Sequence, residues 1–192
     1  PVPGVELQLR DENEAGVGEV WVRGPTVMQG YLDEPELTRE AIVDGWLRTG
    51  DLGTLDAAGH LKLVGRAKNM IVTEGGKNVY PEDIEAAFAG LDDCEEYAVF
   101  ASNYLWPSGQ LGHGHEQLLI VVRPKPGTDE AARAALLDEL RARNRRLADY
   151  KRLHGYLLWE PEFPRTASQK VKREPLAREL RAKVDRDAVR GL

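Results

Sequence analysis

The chain has 192 residues, 42% hydrophobic and 30% charged, enough to bury one large core or two modest ones. Its 26 basic and 32 acidic residues leave a net charge of −6, which opposes general attraction to nucleic acid or anionic lipid and makes a small-molecule site the default. No run approaches the roughly 20 apolar residues that cross a bilayer, and the single cysteine, Cys94, allows no intrachain disulfide and fits a reducing, cytoplasmic setting.

The opening, Pro1-Val2-Pro3-Gly4, has no basic or apolar targeting region and leads straight into the alternating Val5, Leu7, Leu9, so a piece of a longer chain is expected. Period-two stretches dominate the first third: Val5 to Leu9, Glu19 to Arg23, and Leu61 to Val64 after the turn Asp56 to Gly59. They predict a small antiparallel sheet or barrel, with a short helix opened by Pro35 between them.

From about residue 69 the pattern changes. A short strand, Met70 to Val72, and a turn at Gly75 and Gly76 precede a helix begun by Pro81, with Ile84, Phe88 and Leu91 on one face. Next come a strand over Tyr97 to Ala101, a loop from Asn103 to His115, and the apolar strand Leu118 to Val122. A long helix over Asp129 to Leu147 buries Leu136, Leu140 and Leu147, and a strand Gly155 to Trp159 and a charged helix from about Glu174 end the series. The expectation is α+β: a small antiparallel β subdomain over 1–67, then an α+β domain over 68–192, with a hinge at about 66–69.

Four segments can carry chemistry. In Leu47-Arg48-Thr49-Gly50-Asp51, an Asp after a Thr-Gly turn at a strand end offers two carboxylate oxygens to two vicinal hydroxyls, the geometry of a ribose; alone, the tripeptide also reads as a plain turn. Gly65 to Asn69 joins the planar guanidinium of Arg66 to the flexible Lys68 at the unit boundary, a hinge or a solvated linker. Thr73 to Pro81 carries paired glycines that let a backbone pass close to a ligand, but Ile71 and Asn78 stand where a phosphate-binding loop needs Gly and Ser or Thr, so that loop is rejected. Pro164 to Arg173 is a small polar loop carrying Lys170.

Other readings carry less. From Arg165 to Arg190 nine basic residues face four acidic ones, but no aromatic is present for base stacking, and a solvated basic helix accounts for the stretch. Cys94 lies among Asp92, Asp93, Glu95 and Glu96, whose charges disfavour a thiolate. The ligands of His113-Gly114-His115-Glu116 are too close together to face one ion, so no metal site is assigned.

Taken together, the order and spacing are specific. The runs Gly18 to Pro25, Gly30-Tyr31-Leu32, Leu47 to Asp51, Gly65 to Lys68, Gly75 to Glu85 and Pro164 to Arg173 resemble the later core motifs of the adenylate-forming superfamily. The resemblance covers nearly the whole chain, and Val72 to Pro81 is most similar to long-chain fatty-acyl-CoA ligases. It implies the last part of the large AMP-binding domain followed by the C-terminal lid domain. The implied reaction has two steps, formation of acyl-AMP and pyrophosphate from a carboxylate and ATP, then transfer to CoA with release of AMP.

By position, the resemblance gives Asp51 the ribose hydroxyls, Arg66 a nucleotide contact, Lys68 the pivot and Lys170 the adenylation step. With the charge gone as pyrophosphate and a bulky thiol to admit, a glycine surface near Gly75 and Gly76 is then expected to replace the lysine loop beside the CoA thiol. Two departures stand out: Gln169 where the family commonly has Gly, and Leu47 where an aromatic is usual. No segment resembles the family's phosphate loop or acyl pocket, so Mg²⁺ would have its ligands outside this chain, and the chain alone is expected to be inactive. Small molecules (the acid, ATP and CoA) are the implied partners, with no nucleic acid and no transmembrane segment; peripheral membrane association stays open. The alternatives are an amino-acid-activating adenylation domain and a non-catalytic nucleotide or acyl-carrier binding module.

Overall fold

A computed structural model describes residues 2–73, 75–107 and 117–192. The alternating stretches at the start form β1 (Glu6–Arg10) and β2 (Gly18–Arg23), paired antiparallel with Leu7 opposite Val22 and Leu9 opposite Val20. Pro35 occupies the first turn of α1 (Pro35–Ala41), where its missing N–H costs nothing. After α1, β3 (Ile42–Val43) turns into β4 (Trp46–Leu55) through Asp44-Gly45, both at positive φ, the backbone that a two-residue hairpin requires. β5 (Leu61–Arg66) returns antiparallel along the second half of β4, and a 3₁₀ turn, Ala67–Asn69, follows.

β4 is the centre of this five-stranded sheet, in the order β1-β2-β4-β3 with β5 also on β4. The expected antiparallel sheet is present; its centre was not foreseen, because Thr49 and Gly50 inside β4 read as a turn. This first compact unit, residues 1–70, has a thin interior, and among its described residues only Val20 and Trp21 are buried hydrophobics. Guanidinium groups supplement that interior, Arg10 lying 3.8 Å over the Trp21 ring and Arg23 4.6 Å over Trp46.

The second unit, residues 71–192, is built differently. A two-stranded ribbon, β6 (Ile71–Val72) and β7 (Asn78–Val79), leads into α2 (Pro81–Ala86). β8 (Cys94–Ala101), the short α3 (Ser102–Leu105), β9 (Leu118–Pro124), α4 (Glu130–Asn144), β10 (Gly155–Leu158), α5 (Arg173–Lys183) and β11 (Arg190–Gly191) complete it. The sheet runs β11-β10-β9-β8, with β9 and β10 parallel and joined by the α4 crossover.

Helices cover both faces of this sheet, which explains why Leu118 to Val122 reads as an unbroken apolar run. Leu118, Ile120 and Val122 pack with Ile84, Phe88, Leu136 and Leu140 on one side; Leu119 and Val121 pack with Leu105, Leu176, Ala177 and Leu180 on the other. All five strand residues are at most 2% exposed. Asp129 caps α4 by accepting from the Ala132 N–H at 2.8 Å.

Several boundaries differ from the sequence expectations. α2 stops at Ala86, and Phe88 and Leu91 reach the core from the turns beyond it, Phe88 at 0% exposure. α4 ends at Asn144, because the Asn144 side chain turns to bond Leu153 through both its N–H and its oxygen, and Leu147 is only partly buried. Part of the expected Asn103 to His115 loop is α3, and residues 108–116, with His113, His115 and Glu116, lie outside the described residues. The units divide after Met70 rather than at 67, because the Ala67–Asn69 turn packs on β4 and the Met70 N–H closes it on the Ala67 carbonyl.

Candidate nucleotide site and lysine loop

Asp51 lies inside β4, in a bulge, and not at a strand end as the sequence suggested. Between the pairs Glu19–Leu52 and Trp21–Arg48 the β4 side carries two more residues than β2, so Thr49-Gly50-Asp51 arches out of the ladder. Gly50 makes the arch possible at φ +70. Thr49 holds it: its hydroxyl donates to the Val20 carbonyl at 2.7 Å and accepts the Asp51 N–H at 3.1 Å.

On the other side, Asp51 is directly opposite Arg66 in the β4–β5 ladder, and Arg66 Nε lies 2.8 Å from Asp51 Oδ1. The pair is partly exposed, at 30% for the Asp51 side chain and 45% for Arg66, so carboxylate oxygens and guanidinium N–H groups remain open to a ligand. Two nucleotide candidates 15 positions apart in sequence therefore form one charged unit. Lys68 follows in the exposed 3₁₀ turn.

In the second unit, Gly75 and Gly76 sit in the turn of the β6–β7 ribbon. Thr73 closes that turn, its N–H donating to the Lys77 carbonyl at 2.9 Å and its hydroxyl accepting the Lys77 N–H at 3.1 Å. The two glycines are not equivalent. Gly76 needs its φ of +69, whereas nothing lies within 4 Å of a Cβ built on Gly75, so no contact within the described fold requires glycine there.

Lys170 is on a tight loop whose ends pair as a bridge between Arg165 and Val171. The Thr166 N–H donates to the Lys170 carbonyl at 2.8 Å, and the Thr166 hydroxyl accepts the Lys170 N–H at 3.1 Å. Gln169 has φ +65, a backbone in which Gly is favoured, which gives the sequence departure at this position its physical meaning. Lys170 is exposed, and among the described residues no carboxylate is within ion-pair distance of its ammonium.

Sequence reading missed the residues that hold this loop. Glu96, a cross-strand partner of Arg123, is buried with its side chain 5% exposed. Its carboxylate accepts from Arg123 Nη1 at 3.1 Å, the Phe163 N–H at 3.0 Å, Arg165 Nε at 2.9 Å and Arg165 Nη2. On the other side of Lys170, Arg173 donates to the Val99 carbonyl at 2.6 Å and to Glu85, which also accepts the Val99 N–H at 2.7 Å. Burial pushes the Glu85 carboxyl above its ordinary value, against the pull of Arg173. The available signal was that Glu96 shares the strand face of Ala98 and Phe100, where a charge needs a buried partner.

Cys94 is excluded as a nucleophile on stronger grounds than its acidic neighbours. Burial first, with Glu95 and Glu96 adding to it, raises the thiol to about 11. Two surface concavities, one lined by Ala87, Glu139, Arg143 and Leu147, the other by Tyr31, Leu32, Pro35 and Thr38, include none of the candidate residues. Among the described residues no group of three His, Cys, Asp or Glu is arranged to hold a metal, and no helix is long and apolar enough to cross a membrane.

No family model matches the chain. It is 39% identical over 94% of its length to a 3-[(3aS,4S,7aS)-7a-methyl-1,5-dioxo-octahydro-1H-inden-4-yl]propanoyl:CoA ligase of Mycobacterium tuberculosis, and 37% identical over 98% to a long-chain-fatty-acid–CoA ligase of Salmonella typhimurium. It spans about a third of these relatives, 32% of each. Among solved structures, ATP-bound MatB from Rhodopseudomonas palustris superposes with TM-score 0.68 at 29% identity, covering 93% of this chain and 34% of that one. The o-succinylbenzoate CoA synthetase MenE of Bacillus subtilis, in complex with the acyl-adenylate OSB-AMP, gives 0.70 at 26%, covering 100% and 36%.

These likenesses fix the class first, the mixed α+β fold found in the C-terminal domains of adenylate-forming enzymes. Within that class the chain belongs to the acyl-CoA ligases.

Proposed function

We propose that the chain is the C-terminal third of an ATP-dependent acid–thiol ligase that makes acyl-AMP from a carboxylic acid and ATP and passes the acyl group to CoA, releasing AMP and pyrophosphate. The observation that carries this reading is the arrangement of charge: an Asp51–Arg66 pair with open hydrogen-bonding capacity, and a Lys170 ammonium on a braced loop that has no carboxylate partner among the described residues. Residues 1–70 would be the end of the large AMP-binding domain, supported by their thin interior and by the exposed Tyr31, Leu32 and Leu37. Residues 71–192 would be the lid, pivoting at Lys68.

In the first step, Asp51 accepts from the ribose hydroxyls and Arg66 donates to the nucleotide. Negative charge concentrates on the α-phosphate and the departing pyrophosphate, where a positioned ammonium is worth most in a closed site, and Lys170 supplies it. In the second step that charge has left and a thiol must reach the acyl carbonyl. A surface without side chains, at Gly75 and Gly76, then replaces the lysine loop as the lid turns. Mg²⁺ accompanying ATP would neutralise phosphate charge, and the described residues do not fit a site for it.

A long-chain fatty acid is the acid to test first, supported by the wording of Val72 to Pro81 and by the fatty-acid ligase relatives. The test is to supply the complete protein with ATP, CoA and a panel of carboxylic acids. ATP-dependent acyl-CoA with AMP and pyrophosphate as co-products is expected, and Lys170→Ala lowers acyl-AMP formation about a hundredfold or more while leaving thioester formation from supplied acyl-AMP nearly unchanged. Release of ADP and phosphate, or equal loss in both steps for Lys170→Ala, overturns the reading.

A further inference from the structure

The loop that carries Lys170 is held in a conformation its own sequence disfavours. Gln169 sits at φ +65, a left-handed backbone that a residue with a Cβ rarely adopts. Such a backbone persists only where its surroundings over-determine it, and strain of this kind collects at functional sites.

The surroundings that do so can be named. Arg165 reaches in two directions at once. Nε and Nη2 bond the buried Glu96 carboxylate, and Nη1 donates to the carbonyl of Gln169, the residue directly before Lys170. A continuous path of charge-assisted bonds thus runs from the sheet interior to the peptide that carries the lysine. Arg123 and the Phe163 N–H hold one oxygen of Glu96, and Arg165 supplies the bonds to the other. The same carboxylate is thus fixed to the core on one side and to the loop on the other.

On the far side, Arg173 ties the chain three residues after Lys170 to the Val99 carbonyl and to Glu85, so β8 anchors both ends of the loop. Between them, Thr166 closes the turn on the Lys170 peptide from both sides. Among the described residues, nothing in this frame bonds the Lys170 side chain. An arrangement that fixes the peptide and frees the ammonium is suited to presenting a charge at one point.

We infer that Arg165, oriented by the buried Glu96 carboxylate, is a positioning residue that holds the Gln169 peptide and thereby aims the Lys170 ammonium for adenylation. It touches neither nucleotide nor acid. The inference rests on the proposed role of Lys170, and its consequence is specific: disturbing Arg165 impairs only the step that uses the lysine. Lysine at 165 keeps a charge near Glu96 but lacks the fork needed to bond a carboxylate and a carbonyl together, so it is not a conservative replacement here.

The test uses the complete enzyme with Arg165→Ala, Arg165→Lys and Lys170→Ala, measuring acyl-AMP formation by pyrophosphate exchange and thioester formation from supplied acyl-AMP in single turnover. A displacement of about 1 Å in a catalytic group costs up to about a hundredfold, so adenylation kcat falls by about ten- to a hundredfold in both Arg165 variants, with the KM for ATP within about threefold and thioester formation within about twofold. Added guanidinium ion restores part of the rate to Arg165→Ala and none to Lys170→Ala. Adenylation within twofold of wild type in both Arg165 variants, while Lys170→Ala is impaired, overturns the positioning role and leaves the lysine assignment standing. Equal losses in both steps for Arg165→Ala, without guanidinium rescue, also overturn it, as the arginine is then only structural. An unimpaired Lys170→Ala removes the proposed function itself and this inference with it.

Discussion

Glu96→Gln is the most discriminating perturbation of the second unit, because the glutamate anchors two arginines of different exposure. The substitution keeps the shape and one acceptor oxygen and removes the charge. Arg123, 13% exposed, then keeps the Glu160 carbonyl and at most the neutral Gln oxygen, and its remaining carboxylate is Glu162 at 3.8 Å, whose side chain is 87% exposed. Arg165, 36% exposed, can turn towards water. Breaking a buried ion pair from one side costs about 3–5 kcal/mol, and with one of the two arginines released to solvent the lower end, about 3 kcal/mol, applies.

For a unit of this size about 3–5 °C accompanies each kcal/mol, so the melting transition of residues 71–192 falls by about 10–15 °C. Calorimetry of the chain, with near-UV dichroism to assign the transition, measures it. Glu96→Gln combined with Arg165→Ala should cost less than the two changes summed, by about 1 kcal/mol or more, since the same bonds are removed twice. A melting change under about 3 °C, or strict additivity, refutes the view that Glu96 is a charged anchor shared by Arg123 and Arg165.

Residues 71–192 expressed alone should unfold cooperatively, whereas residues 1–70 alone should give neither a cooperative melt nor dispersed amide spectra, given an interior of Val20 and Trp21; a sharp transition for the short piece counts against its place in a larger domain. With the thiol raised to about 11 from 9.0, Cys94 carries about a hundredfold less thiolate at pH 8 than an ordinary cysteine, so alkylation of the folded chain should be slower than that of the denatured chain by about ten- to a hundredfold, and equal rates refute the burial argument. On the proposed pivot at Lys68, Lys68→Pro in the complete protein fixes φ in the Ala67–Asn69 turn and should spare adenylation while impairing transfer to CoA; equal loss in the two half-reactions argues against a pivot there.

The sequence by itself determined the elements whose signals are local. Alternation gave β1, β2 and β5, the unbroken run Leu118 to Val122 gave a strand covered on both faces, and Pro35 and Pro81 marked the starts of α1 and α2. It also singled out Asp51, Arg66, Gly75, Gly76 and Lys170 as candidates, from segments whose residue types suit a ligand and whose order resembles the adenylate-forming enzymes. The tertiary structure decided what depends on pairing across distance. Gly50 looks like the end of a strand in one dimension and becomes a bulge only when β2 and β5 flank it, and Asp51 becomes a partner of Arg66 only through the β4–β5 register. Glu96 belongs to an acidic run in sequence. It is a buried anchor in space because Arg123 and Arg165, 27 and 69 positions away, converge on it, and a charge in a low-dielectric interior is stable only when such partners arrive.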